Sequence, residues 1–195
     1  HTWWMVTPQT VDGVTARNYS MAPEDGRRGV FGHEFGHALG LPDLYDIDYT
    51  SDGVGDWCMM GSGSWGGGGV NPAHFLSWCK AQLGFLAPVI LSVNQTAAPI
   101  TCVETSPTAY KLWTGGAPGQ QYFLVENRQL VGSDVSLPGP GLLVTHIDES
   151  VTGNANEDHP LVAVEQADGL FQLEHAQGSN AGDPWPGITM KRDFT

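Results

Sequence analysis

The feature that most constrains this chain is the pentad His33-Glu34-Phe35-Gly36-His37, which lies within the stretch VFGHEFGHALGLPDLY at residues 30–45. Residues four apart lie one turn above each other on the same face of a helix, so the two histidines can bind one metal ion together. Glu34 reaches the same edge, where its carboxylate can contact a water on that metal. Zinc-assisted hydrolysis requires two imidazoles, an open coordination position and an adjacent carboxylate. The pentad therefore predicts a metallohydrolase with Zn²⁺ as cofactor and Glu34 as catalytic base.

The residues after the second histidine predict a sharp reversal of the chain that supplies a third ligand. Gly40 stands where a helix often ends on a residue with positive φ, and Pro42 cannot continue the helix. The chain then returns past the metal at Asp43. A carboxylate oxygen is an ordinary zinc ligand at about 2.0–2.2 Å. If Asp43 does not complete the shell, Asp46 is the next candidate.

Two further motifs carry a resemblance to known families. The spacing His-Glu-x-x-His-x-x-Gly-x-x-Asp resembles the extended zinc motif of the metzincin peptidases, with Asp43 in place of their third histidine. The stretch DWCMMGSGSW at residues 56–65 is similar to the methionine-containing turn beneath the zinc in that group, with Met60 as the better match and Met59 in reserve. With the later stretches VENRQ, LPGPGLL and GDPWPG, these motifs resemble the immune inhibitor A-type secreted bacterial metallopeptidases from about residue 3 to residue 187.

The resemblance implies an α+β fold and a division of the chain into two parts. Residues 1–87 would be a metzincin-like zincin core with an active-site helix and a methionine turn, and residues 88–195 a β-rich subdomain. About 25 residues before the helix leave little room for the strand and backing helix that a zincin places there. We therefore expect a piece of a longer precursor whose signal peptide and inhibitory propeptide precede it.

The same resemblance implies a secreted endopeptidase that acts on proteins or peptides. His33, His37 and Asp43 would hold Zn²⁺, Glu34 would transfer the proton, and Met60 would lie beneath the metal. Other segments of the precursor are further expected partners. No tyrosine follows Met60 closely, so the sequence identifies no side chain that stabilises the oxyanion.

Composition limits the range of partners. The chain has 195 residues, with 21 acidic and 8 basic side chains and a formal net charge of −13. This charge argues against binding to nucleic acid or to anionic membranes, which select basic patches. No apolar run approaches membrane-spanning length, so membrane insertion is not expected either.

The loop at residues 43–56 contains four acidic residues besides Asp43. Such a group can bind a hard cation, which makes calcium a candidate second cofactor. A solvated acidic loop is the alternative, because the spacing is not that of an EF-hand. The candidate calcium ligands are Asp46, Asp48, Asp52 and Asp56.

Three cysteines, Cys58, Cys79 and Cys102, have no metal-binding spacing. They are either buried thiols or, in a secreted protein, partly joined by a disulfide. The pair Cys58–Cys79 is favoured because it would tie the methionine turn to the next helix.

Local patterns predict the elements around these motifs. A hairpin is expected at residues 2–7 and 11–21 around Asp12-Gly13, and helices at 27–39 and 72–83. The core stripe of the first helix is expected to consist of Phe31, Phe35, Ala38 and Leu39. Strands are predicted at 89–93, 100–105, 109–114, 121–127, 141–147 and 161–165, with a short helical piece near 170–175.

The alternative to a peptidase is a protein of a different functional class. The chain would then be an extracellular adhesion or structural module that binds zinc or calcium without catalysis. The intact Glu34 argues against this alternative, because a protein without catalysis has no need of the base.

Overall fold

A computed structural model of the chain describes residues 2–194, except for the side chains of residues 2–6, 18 and 114. Its first element is an antiparallel hairpin of β1 (Thr2–Val11) and β2 (Val14–Ser20). Asp12 and Gly13 connect the strands with φ angles of 53° and 80°. A tight hairpin turn with positive φ at both central residues matches the twist of the strands, and Asp-Gly favours it. The predicted hairpin is confirmed.

Helix α1 (Arg28–Ala38) lies within one residue of the predicted bounds, but it buries a different face. Gly29 and Gly36 are buried, so the helix backbone lies close to the segment at residues 59–64. The predicted core stripe is therefore wrong, because the larger apolar side chains of α1 project away from this contact. Those exposed side chains are Phe31, Phe35, Ala38 and Leu39.

The two later helices are short. α2 (Gly66–Gly69) is a single turn in which Gly67 and Gly68 have left-handed backbone angles. α3 (Ser77–Gln82) begins five residues after the predicted start of the second helix. Leu76 is extended, with φ −58° and ψ 156°, so the helix does not begin before it, and the residues before it bond to other segments. Ala73 N–H donates to the Gly63 carbonyl, and His74 N–H donates to Asp134. Short 3₁₀ segments occur at Gly55–Trp57, Ser62–Trp65, Thr114–Gly116, Gly132–Ser136 and Leu173–His175.

The second half of the chain forms a five-stranded sheet with the strands in sequence order. Its first pair is parallel and the others are antiparallel. The predicted strand at 100–105 is reduced to an isolated bridge between Cys102 and Asn127. With its helices and two sheets the chain is an α+β protein, as predicted. The strands are β3 (Val89–Ile90), β4 (Ala109–Leu112), β5 (Gln121–Arg128), β6 (Gly141–Asp148) and β7 (Val162–Glu165).

One cluster of buried apolar side chains includes residues from both halves of the chain. Leu44, Trp57 and Met60 of the first half belong to it together with Leu124 and Ile147 of the sheet. The division at residue 87 stays a prediction, and the two parts share this core. None of the described helices is long and apolar enough to cross a membrane.

A buried arginine connects the sheet to the segment that follows the acidic loop. Arg128 on β5 is fully buried, and its Nη1 donates to the Trp57 carbonyl at 2.8 Å and to Glu126 Oε1 at 3.0 Å. Its Nη2 donates to Asp134 Oδ2 at 2.7 Å. A buried guanidinium needs such paired and satisfied surroundings. The backbone at residue 57 is thereby held by a side chain from the second half of the chain.

Candidate metal centre

The helix that carries the two histidines ends in the predicted reversal. Leu41 N–H donates to the Gly36 carbonyl at 3.0 Å, and Gly40 N–H donates to the His37 carbonyl at 2.9 Å. These two bonds define a Schellman motif, which requires positive φ at the residue that Gly40 occupies with φ 101°. The motif turns the chain back toward the histidine face of α1, so Asp43 comes to lie beside it.

Main-chain carbonyls orient both imidazole rings. His37 Nδ1 donates to the Leu41 carbonyl at 2.8 Å, and His33 Nδ1 donates to the Met59 carbonyl at 2.9 Å. A proton on Nδ1 leaves the lone pair of a neutral imidazole on Nε2. Such bonds to the outer ring nitrogen are typical of metal-binding histidines, because they fix the tautomer and the direction of the ligand atom.

The two Nε2 atoms converge on one oxygen. His33 Nε2 and His37 Nε2 lie 3.0 and 3.1 Å from Asp43 Oδ1. These residues form the one group of three or more candidate ligands in the described part of the chain, with ligand atoms within 4.8 Å of one another. Lone pairs directed at a common point repel unless a positive charge lies between them. Two imidazoles and a carboxylate suit Zn²⁺, so the donor set fits the metal.

The electrostatics of the group favour a positive charge at this point. Burial would lower the pKa of His33, but its hydrogen bonds with Asp43 and the Met59 carbonyl outweigh this effect and raise it. Burial would raise the pKa of Asp43, but hydrogen bonds with His33 and His37 hold it well below its usual range. Asp43 is therefore an anion, which is the form that binds a metal ion.

Two methionine sulfurs lie directly against α1. A Cβ added at Gly36 would lie 2.5 Å from Met60 Sδ, and one added at Gly32 would lie 2.6 Å from Met59 Sδ. Met60 is fully buried. The methionines thus pack on the helix turns that carry the histidines, and glycine is needed at both contact positions.

Two cavities adjoin the candidate metal centre. One of about 340 Å³ is lined by His33, Glu34 and Tyr45 together with residues of the acidic loop and of the segment after Met60. Another of about 480 Å³ is lined by Asp43, Tyr45 and residues at 151–159. Glu34 therefore lies at the edge of an open cleft, beside the histidine that it follows in the sequence.

Tyr45 is a site residue that the sequence did not identify. Its ring stacks on that of His33, with centroids 6.2 Å apart and planes inclined by 25°. Burial and the charge of Asp43 raise its pKa to about 12, and a hydrogen bond with Asp43 contributes. Tyr45 precedes Met60 in the sequence, whereas the expected position of such a tyrosine is after it. The usable signal was the Asp-Leu-Tyr order that begins at Asp43.

The acidic loop does not place its other carboxylates with the histidines. Asp46 is buried, and its oxygens accept from Asp48 N–H, the Thr50 hydroxyl and Ser51 N–H. Asp46 is thus committed to its own turn. Asp52 accepts from Gly178 N–H. In the described residues these two do not form a group of three candidate ligands with Asp48 and Asp56, so calcium binding there stays a prediction.

Cys58 and Cys79 are buried thiols in contact. Their Sγ atoms are 3.9 Å apart, whereas a disulfide bond measures about 2.05 Å. Met60 N–H donates to Cys58 Sγ at 3.3 Å. The structure therefore brings the predicted pair together but contains no bond between them.

Comparison with known proteins identifies the segment that carries this centre. Residues 5–85 match the family described as "Immune inhibitor A peptidase M6, catalytic domain". The resemblance to the immune inhibitor A peptidases is confirmed. The matched segment of this chain includes α1, the reversal, the acidic loop, Met59 and Met60.

Curated relatives agree with the immune inhibitor A match. The chain is 51% identical over 72 residues to the pre-pro-metalloprotease PrtV of Vibrio cholerae serotype O1, which covers 35% of this chain and 8% of that protein. It is 47% identical over 66 residues to immune inhibitor A of Bacillus thuringiensis subsp. alesti, which covers 32% of this chain and 10% of that protein. The family description names a peptidase and the name of PrtV a metalloprotease, and both are hydrolases. The chain matches a tenth or less of the length of these relatives.

Proposed function

We propose that this chain is the catalytic part of a secreted, zinc-dependent endopeptidase. The observation that carries the proposal is the convergence of His33 Nε2 and His37 Nε2 on Asp43 Oδ1. The match of residues 5–85 to a peptidase catalytic domain supports it. We further propose that residues 1–87 are a metzincin-like core in which Met60 occupies the methionine turn, with residues 88–195 as its β-rich companion.

His33, His37 and Asp43 would hold the zinc ion. When bound, zinc polarises the scissile carbonyl and lowers the pKa of a water molecule from 15.7 toward about 7. The carbonyls of Met59 and Leu41 keep the two imidazoles directed at the ion. Asp43 contributes the negative charge, and its lowered pKa keeps it ionised at the pH of most extracellular fluids.

Glu34 is the proton carrier in this proposal. Its carboxylate accepts the proton of the attacking water and then donates it to the nitrogen of the leaving amine. It lines the cavity beside His33, where both the water and the scissile bond have room. Tyr45 lines the same cleft, and its hydroxyl, which bonds with Asp43, would turn from Asp43 to donate to the carbonyl oxygen as negative charge develops on it.

The open cleft favours cleavage within a chain rather than at its end. Tyr45 lines both cavities, so we expect an extended peptide to occupy both and to continue past the reacting bond in each direction. The substrate is therefore a protein or peptide, bound in an extended form. Segments of a longer precursor are candidates for the same cleft.

The decisive experiment is Glu34→Ala, with Glu24→Ala as control because Glu24 is exposed and lies before α1. The Glu34 variant should retain bound zinc and lose peptidase activity by at least about 100-fold, the usual contribution of a general base. The control should match the parent in both respects. Unchanged turnover in Glu34→Ala would remove the base from its role. Zinc binding without activity in the parent chain would favour the non-catalytic adhesion or structural module.

A further inference from the structure

The cavity beside Glu34 has an aromatic wall that is open to solvent. We call this cavity of about 340 Å³ the Trp65 pocket. Tyr45, Tyr49 and Trp65 line it, and 79% of Tyr49 and 61% of Trp65 are exposed. Exposed aromatic side chains of this size contribute little to the core. Their accessible faces are available to a ligand that enters the pocket.

The same pocket carries uncompensated negative charge. Asp46 and Asp52 line it, and no lysine or arginine is among its described lining residues. Burial would raise the pKa of Asp46, but three hydrogen bonds from neutral donors lower it. Neutral donors stabilise a carboxylate without cancelling its charge. Burial and the charge of Asp52 together raise the pKa of Asp56, so the negative charge of Asp52 also acts on Asp56.

We propose that the Trp65 pocket binds a lysine or arginine side chain of the peptide substrate next to the scissile bond. The inference rests on the proposed peptidase function, since the pocket adjoins Glu34 and His33. The aliphatic stem of a basic side chain would lie along the aromatic wall, with its charged end near Asp52. A cation over the face of Trp or Tyr is attracted by the electrons of the ring, and the carboxylates add to this attraction.

Other side chains fit the pocket less well. A glutamate or aspartate of the substrate would enter a cavity that already holds like charge. A phenylalanine would stack on Tyr49 and Trp65 but would leave the two carboxylates without a counterion. The combination of aromatic faces and fixed anions therefore selects a cation with a long apolar stem.

The test uses the zinc-loaded chain and peptides that differ at one position. A mixed peptide library, read by mass spectrometry, first gives the cleavage position, and matched peptides then carry Lys, Arg, Met, Phe or Glu beside it. The kcat/KM for Lys or Arg should exceed that for Met by about 10-fold, with Glu lowest. The preference should shrink when the ionic strength rises from about 0.05 to about 0.5 M, because salt screens partly exposed charges.

A variant identifies the pocket as the source of this preference. Asp52→Asn keeps an acceptor for Gly178 N–H but loses the charge. It should lower kcat/KM for the Lys peptide more than for the Met peptide, reducing their ratio about 3-fold. The control Asp25→Asn changes an exposed aspartate before α1 and should leave the ratio as it was.

The outcomes separate the two proposals. If peptides are cleaved with equal preference for Met, Phe and Lys, or if Asp52→Asn leaves the ratio unchanged, the basic-residue pocket is wrong and the peptidase remains. If the zinc-loaded chain cleaves neither the library nor an unfolded protein, the peptidase function itself is wrong.

Discussion

The sulfur of Met60 occupies the space in which a side chain at Gly36 would begin. An added Cβ would lie 2.5 Å from Sδ, closer than real Cβ contacts allow. Met60 is fully buried and cannot move aside without opening the core. The helix turn that ends at His37 and the methionine segment therefore fit together only when position 36 lacks a side chain.

Gly36→Ala should accordingly destabilise the protein. Alanine gains up to about 1 kcal/mol in helix propensity, but overpacking a filled site costs about 1–3 kcal/mol. We expect a net loss of about 1–2 kcal/mol in the free energy of unfolding, measured by urea denaturation. Gly153→Ala is the control, because a Cβ there meets nothing within 4 Å. Equal stability of the two variants would contradict the close contact.

Asp43→Ala should weaken zinc binding by at least about 100-fold. Loss of a hydrogen-bond partner of a metal ligand alone lowers metal affinity by about 10- to 100-fold, and this variant loses a ligand itself. Competition with a chelator of known affinity measures this effect. Asp25→Ala, at an exposed position before α1, should bind zinc as the parent does. Full zinc content in the Asp43 variant would mean that another group completes the coordination shell. Asp46 is unsuited to this role because its oxygens accept hydrogen bonds within its own turn.

Tyr45→Phe should lower kcat by about 10- to 100-fold while zinc content is preserved. The variant keeps the ring that stacks on His33 and removes only the hydroxyl that bonds with Asp43 and lines the cleft. Steady-state kinetics and metal analysis of the same sample measure the two quantities. Tyr19→Phe, at an exposed position on β2, is the matched control. Loss of zinc together with activity would indicate that the hydroxyl supports the metal ligand instead.

Asp183 should make stability fall as the pH rises from about 4 to about 6. Burial raises its pKa to about 6 from 3.8, in spite of hydrogen bonds from Asn180 N–H and Trp57 Nε1. The native state therefore binds the proton more tightly than the unfolded chain does. This stabilising proton is present below about pH 4 and is lost as the pH passes the folded-state pKa. The full difference is on the order of 3 kcal/mol.

The comparison with Asp183→Asn isolates this effect from the other carboxylates. The free energy of unfolding of the parent minus that of the variant should decrease between about pH 4 and pH 6 and then level off. Chemical denaturation at a series of pH values measures this difference. Asp158→Asn changes an exposed aspartate and serves as the control variant. A flat difference for Asp183 would show that this carboxyl titrates as it does in the unfolded chain.

Local chemistry made much of the first half predictable from the sequence. Asp12-Gly13 specifies a hairpin, and Gly40 specifies the end of α1, because each needs a backbone angle that few residues adopt. The same reversal brings Asp43 to the two histidines. These features depend on residues within about ten positions of one another, which is the range over which sequence patterns act.

The remaining features depend on contacts between distant segments. The glycine face of α1 is buried because Met59 and Met60 pack on it, and apolar periodicity alone pointed to the opposite face. The second helix begins late because Leu76 is extended, and the residues before it bond to Gly63 and Asp134. A local sequence pattern carries no information about partners that are distant in the sequence. Tyr45 was not predicted although it lies close to Asp43 in the sequence, because its stacking on the ring of His33 is visible only in the folded chain.

The bond between Arg128 and the Trp57 carbonyl has a consequence for the limits of the catalytic segment. The family match ends at residue 85, but Arg128, which lies beyond it, holds the backbone at Trp57, two residues before Met59. A chain stopped at residue 87 would lose this guanidinium, the acids that balance it and half of the shared core. The Met59 carbonyl would then no longer hold the His33 ring in place. The metal centre thus depends for its shape on residues that lie beyond the matched segment.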